Sequence, residues 1–279
     1  MISDITLGQY FPGSSWLHKM DPRVKVLLSV AFIVAIFLCR YVLTYALILA
    51  FTIFLIGVSG IPLKTILKSL KPLIIILIIT ALISILFTQS DEAPLLSFWR
   101  INIYADGLWR ALFMVVRVAL LVVAGSLFLT YTTSPIALTD AIESLLKPLS
   151  YIKVPVHEFA MMMTIALRFI PILIEETEKI MNAQKSRGAD LTSGGLLKRV
   201  KALVPIIVPL FISAFQRAMD LATAMECRCY RGGKGRTRLR KYELHARDFI
   251  MLALHAVLIT AICLGNIYLP AIIGWGYSL

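Results

Sequence analysis

Several constellations in the sequence hold residue types that catalyse or coordinate, and each lacks a part. His157-Glu158 begins like the helical motif of zinc proteases. That chemistry needs a second His one turn later on the same face, and Met161 stands there. The run from Gly232 to Thr237 mixes glycines with Lys234, as phosphate-cradling loops do, but its spacing differs and no strand precedes it. Cys227 and Cys229 form a lone C-x-C with no second pair or His cluster to complete a metal's coordination. His18, His157, His245 and His255 are scattered along the chain. The expectation is a chain that is not an enzyme and binds no metal or cofactor of its own.

What remains is a repeated arginine site. Ala183 precedes Arg187-Gly188, and Ala224 precedes Arg228-Cys229. Four residues apart, each Ala and Arg share one helical face. The small Ala admits a partner backbone, and the Arg offers a planar five-donor fork to carboxylates or carbonyls. An Arg in the last turn also complements its own helix dipole. The residues alone leave both readings open, a helix cap or a docking surface. Two copies closing two successive helices strengthen the second.

The elements that must position these sites sit in a membrane. The 279 residues are 59% hydrophobic and 16% charged, with mean hydropathy +0.84. Soluble domains run about 45–50% apolar and about 25% charged, so an ordinary soluble enzyme and a disordered chain are both excluded. Met1 to Gly13 has neither the basic region nor the apolar core of a signal peptide. A spanning helix needs about 20 apolar residues. Five segments approach this: Val24–Cys39, with Lys25 able to snorkel, then Tyr41–Ile61, Leu73–Thr88, Gly107–Tyr131 and Phe249–Ile273. Cys39 and Cys263 read as small buried hydrophobes. Arg117 lies within a span, where a charge needs a partner; a backbone carbonyl and a functional group are both open.

Basic residues orient the spans. The net charge is +12, from 28 Lys+Arg against 16 Asp+Glu. Thr132 to Arg247 carries 18 basic and 10 acidic residues, so +8 of the +12 lies there. Lys64, Lys68 and Lys71 mark the second connection, and residues 89–106 hold only Arg100. The positive-inside rule then predicts a multi-pass cell-membrane protein with a cytoplasmic N-terminus and an extracellular C-terminus. Residues 1–131 form an N-terminal region of four spans, 132–247 a cytoplasmic domain, and 248–279 a last span.

The cytoplasmic segment predicts three amphipathic helices. The first starts at Ser134-Pro135 and runs to Lys147. The second runs from Pro155 to a stop at Gly188, with a kink at Pro171. The third runs from Leu196 to Tyr230. Apolar runs at 159–174 and 202–214 invite a seven-span alternative. Arg168, Pro171, Pro205, Pro209 and flanking charges favour helices at or below the cytoplasmic surface. The fold class is thus all-α and integral to the membrane, with about five spans and three long amphipathic helices.

Specific residues carry a resemblance. Ser15-Trp-Leu-His18-Lys-Met-Asp21-Pro22-Arg23-Val-Lys25 resembles the N-terminal signature of the transmembrane T component of energy-coupling factor (ECF) transporters. Arg168-Phe-Ile-Pro171 and the paired arginine motifs also match, and the resemblance runs in order along essentially the whole chain. It implies a scaffold that joins two ABC-type ATPase subunits to an interchangeable substrate-binding S component for vitamin or micronutrient uptake. ATP-driven movement of the ATPases would pass through the long helices to an S component that topples in the bilayer.

By that resemblance the ATPases dock at Ala183, Ser186, Arg187 and Gly188, and at Ala224, Arg228, Cys229 and Tyr230. His18, Asp21, Pro22, Arg23, Lys25, Arg168 and Pro171 are signature residues. Asp21-Pro22 also reads locally as a helix start, with an added role holding the first helix on the coupling domain left open. Cys229 departs from the family's glycine: either the helix runs on to Gly232 or the cap is strained. Partners are the ATPases, the S component and the lipid bilayer, with no nucleic acid. A T component dedicated to one substrate, such as biotin or cobalt, is the alternative. An autonomous secondary transporter and an intramembrane enzyme fit the charge distribution and the missing motifs less well.

Overall fold

A computed structural model describes residues 10–88, 96–98, 101–189, 195–233 and 242–273. The described chain is helical apart from one short hairpin. The helices are α1 (Pro22–Leu38), α2 (Val42–Ser59), α3 (Leu63–Leu70), α4 (Ile74–Phe87), α5 (Ala105–Gly125), α6 (Pro135–Leu146), α7 (Val156–Ser186), α8 (Leu196–Cys227) and α9 (Ala246–Ile273). The hairpin pairs β1 (Leu96–Phe98) with β2 (Ile101–Ile103), Leu96 opposite Ile103. The loop that follows α8 on to Lys241 is basic in sequence, and residues 234–241 lie outside the described residues.

Two compact units result. One comprises Ile142–Lys241, and the other Gln9–Ala141 with Tyr242–Leu279. In the second unit, Phe32, Ile36, Ile48, Leu55, Phe128 and Ile262 meet in a buried core. Large apolar side chains also face outward, Ile75 and Phe87 among them at 70% and 78% exposure. In water such a surface is an association hazard; in a bilayer it is solvated by lipid. The chain is a multi-pass membrane protein.

Local chemistry sets the helix boundaries. Asp21 caps α1, its carboxylate accepting the Arg23 amide at 2.8 Å, with Pro22 at the first helical position. The Ala137 amide donates to the Ser134 hydroxyl at the start of α6 at 3.3 Å. The third span begins earlier than expected. Lys64 and Lys68 are not in a loop but on α3, and Lys71 opens the 3-10 turn through Pro72 that leads into α4. Pro fits there because it opens the new helical segment, where its missing amide costs nothing. The last turns of α5 widen into a π-helix at Ser126–Tyr131.

Pro171, Pro205 and Pro209 lie inside α7 and α8 without ending either helix. Each proline removes one helical hydrogen bond, a loss these helices, 31 and 32 residues long, absorb. Among the described residues, six helical stretches are long and apolar enough to cross a membrane. They include α7 and α8 but not α1, which at 17 residues is a little short. Length and composition therefore do not separate a span from a long helix with one apolar face.

Candidate functional site: two arginine-bearing helix ends

The ends of α7 and α8 share one backbone design, offset by 41 residues in sequence. The Arg187 amide reaches the Ala183 carbonyl at 3.2 Å, and the Arg228 amide reaches that of Ala224 at 3.3 Å. Next, Gly188 donates to Lys185 at 2.9 Å and Cys229 to Glu226 at 2.8 Å. Then Ala189 donates to Gln184 and Tyr230 to Met225, both at 3.0 Å. This is the Schellman closure, which satisfies the carbonyls a helix leaves open at its C-terminus. The two arginines have nearly the same backbone angles, φ −87° and ψ 8° at Arg187, φ −89° and ψ 13° at Arg228.

The closure requires a left-handed residue after each arginine. Gly188 supplies φ +84° and Cys229 φ +56°. Of the two readings of Cys229, the strained cap holds: α8 stops at Cys227 and does not run on to Gly232. Ala183, Ser186, Arg187 and Gly188 are exposed, as are Ala224, Arg228 and Cys229, while Tyr230 is half-buried. Each end therefore presents an Arg beside a small Ala, on a helix terminus whose negative end favours the cation. Between the helices, Arg217 donates to Glu176 at 2.8 Å and pins α7 to α8. Glu176 and Arg217 are themselves 41 residues apart, so one aligned position carries opposite charges that meet.

The signature residues gather in the other unit. The Asp21 amide donates to Asp248 at 3.0 Å, and the His245 amide donates to the other Asp248 oxygen at 2.8 Å. One buried carboxylate thus ties the start of α1 to the start of α9. Lys25 does not snorkel: it is 1% exposed, and its ammonium donates to the carbonyls of Thr132 at 2.7 Å and His18 at 3.2 Å. Chain turns leave those carbonyls open, so a buried cation finds acceptors without reaching water. Arg23 lies over the Tyr242 ring at 5.9 Å, and the Tyr242 hydroxyl donates to Asp140 at 3.3 Å.

His18 braces the segment before α1. Its Nε2 meets the Phe11 carbonyl at 2.9 Å. A carbonyl only accepts, so in the neutral ring Nε2 carries the proton and Nδ1 accepts from the Ser15 hydroxyl. Gly13 packs against the ring so closely that a Cβ there would stand 2.8 Å from it. Arg168 and Pro171 are both exposed on α7, and the structure brings neither to the helix ends.

Two charged groups gain partners that sequence did not supply. Arg117 donates to the Tyr45 hydroxyl at 2.7 Å and reaches the Cys39 carbonyl at 3.5 Å. Its partners are structural. Asp248, the link just described, was not among the expected site residues. Its only local signal is its place in the first turn of α9. A cleft of about 490 Å³ beside Trp109 and Leu112 on α5 and Ile85 on α4 is apolar and gathers no polar groups.

Known proteins resemble this chain over nearly its full length. The family described as cobalt transport protein (CbiQ) matches residues 13–239. The energy-coupling factor transporter transmembrane protein EcfT of Clostridium kluyveri is 53% identical over 268 residues, which cover 96% of this chain and 99% of that protein. The protein of the same name from Ruminiclostridium cellulolyticum is 49% identical over 264 residues, 95% and 98% of the two chains. That from Listeria innocua is 46% identical over 258 residues, 92% and 97%.

Proposed function

Because the chain belongs to the family of energy-coupling factor transporter transmembrane proteins, we propose that it is the scaffold and energy-coupling subunit of an importer. Two cytoplasmic ATPases dock on its twin helix ends. Arg187 and Arg228 enter acceptor sites on them, and Ala183 and Ala224 allow close approach. The observation that carries this reading is the congruence of the two ends: the same closure, the same Ala and the same exposed Arg.

A substrate-binding S component rests on apolar faces of α7 and α8. Phe159, Met162 and Met163 on α7, and Ile207, Phe211 and Phe215 on α8, are exposed and available for it. The chain itself does no chemistry. Helices are stiff, and α7 and α8 are joined by the Glu176–Arg217 pair. Displacement of the docked ATPases therefore moves the helix faces that hold the S component. In this reading residues 132–247 are cytoplasmic, the N-terminus lies on the same side and the C-terminus is extracellular.

Affinity capture of the ATPases from membranes tests the docking. The exchange R187A/R228A leaves each partner acceptor buried without its cation, a loss of about 3–5 kcal/mol per site when a buried pair is broken. The expected result is at least a hundredfold loss of ATPase recovery, with each single variant intermediate. Undiminished recovery refutes the docking role. The family's description as cobalt transport favours a second reading, a subunit dedicated to one substrate. Purification from the native membrane distinguishes the two: several S components recovered means a shared module, a single one a dedicated module.

A further inference from the structure

α3 sorts its side chains into three strips. Ile66 is buried in the core of its unit. Beside it, the Thr65 carbonyl accepts from the Tyr131 hydroxyl at 3.2 Å. This side of the helix is therefore fixed to the end of the α5 span. Leu63 and Leu67 face outward at 62% and 64% exposure. Next to them stand Lys64 and Lys68, with Lys71 where the 3-10 turn begins, all exposed. Residues three and four apart are neighbours on a helix. The three ammonium groups thus share one face about 10 Å long.

Neither helix stability nor topology explains that face. Like charges at this spacing repel, and α3 holds no acidic residue to offset them. Lys64, in the first turn, also opposes the positive end of the helix dipole. Among the described residues none of the three ammonium groups has an ion pair or a hydrogen-bond acceptor. A topology signal needs only a count of basic residues near a span, so three lysines scattered over residues 61–73 would serve as well. Their alignment beside two outward leucines goes beyond a count. The leucine strip runs on through Ile74 and Ile75 into the lipid-facing side of α4. With that strip in hydrocarbon, the adjoining lysines reach the depth of the headgroups.

We propose that the Lys64–Lys68–Lys71 face of α3 is a binding site for anionic phospholipid. The ammonium groups hold headgroup phosphates, and Leu63 and Leu67 lie among the acyl chains beside them. The occupant is a lipid and not an acidic protein, because the charged face is continuous with the lipid-facing surface of α4. In the topology proposed above the site lies in the cytoplasmic leaflet. It does not depend on how ATPases dock and requires only that the chain lies in a membrane.

Native mass spectrometry of the full-length protein released from nanodiscs tests it. The discs hold equal amounts of dioleoyl-phosphatidylglycerol and dioleoyl-phosphatidylcholine, the second carrying a choline cation that neutralises its phosphate. The parent protein is expected to retain phosphatidylglycerol preferentially. One lysine near an anionic surface contributes about fivefold to association. K64Q/K68Q/K71Q is therefore expected to lower the preference at least tenfold, and each single exchange about fivefold. The control K147Q/K153Q/K179Q removes three other exposed lysines and is expected to leave the preference unchanged. An equal loss in the control assigns the effect to net charge and overturns the proposal. So does a preference that is absent from the parent or unchanged in the triple variant of α3. If that variant does not fold, the single exchanges decide, and no loss in any of them overturns the proposal. A triple variant that keeps its lipid preference but loses a partner subunit gives the face to an acidic protein, and likewise overturns it.

Discussion

Exchange of Gly188 and Cys229 measures how alike the two helix ends are. Both residues hold the left-handed conformation on which their closures depend, at φ +84° and +56°. A Cβ in that region meets the following carbonyl, at a cost of about 1 kcal/mol for one residue. The environment adds almost nothing: a Cβ built on Gly188 meets no atom within 4 Å, and Cys229 is exposed. Backbone strain is then the only difference. C229G should stabilise the end of α8 by about 1 kcal/mol, and G188C should destabilise the end of α7 by about the same. Hydrogen exchange reads both directly. The amides of Cys229 and Tyr230 should open about fivefold less often in C229G, and those of Gly188 and Ala189 about fivefold more often in G188C. If C229G leaves exchange unchanged or speeds it, strain does not govern this cap and the equivalence of the two ends is refuted.

Two further predictions address the other unit. D248A removes the acceptor of the buried Asp21 amide and of the part-buried His245 amide, and should cost about 1–3 kcal/mol in thermal unfolding in mild detergent, the penalty of leaving one buried amide unsatisfied; D248N, which keeps one acceptor oxygen, should fall between, and parent-like stability of D248A would refute the link between α1 and α9. Y45F removes the hydroxyl that Arg117 meets at 2.7 Å, and should cost about 1.5–3 kcal/mol in the same assay, whereas a loss below about 0.5 kcal/mol would assign that partnership no weight.

Legibility followed distance along the chain. Asp21 as cap, Pro22 at the helix start and Gly188 at the helix stop act within a turn of themselves, and each stands where its residue type predicts. The helical elements were readable for the same reason, since apolar length and caps are local. The start of the third span was not, because charged Lys64 and Lys68 on α3 look like a loop to any reading that equates charge with exposure outside a helix. Cys229 could be narrowed to two conformations but not assigned: a Cys is costly in the left-handed region, and only the paired closures show that the cost is met. The partners of Arg117 and Asp21 lie 72 and 227 residues away. No periodicity encodes such a pairing.

These pairings separate two uses of charge. In the unit built around the spans, three ions are fixed by neighbours in the same unit, Lys25 and Asp248 buried and Arg117 half-buried. Lys25 is held by two carbonyls, Asp248 by two amides, and Arg117 by a hydroxyl and a carbonyl. Such groups favour their one arrangement, because any displacement leaves a desolvated ion without its partner. In the unit built on α7 and α8 the closures use backbone groups alone, and the guanidinium groups of Arg187 and Arg228 stay exposed. Backbone closure lets a helix end keep its shape without spending its arginine. The proposed force-transmitting role would call on both devices: a frame whose charges resist rearrangement, and levers whose charged tips are left for a partner to hold.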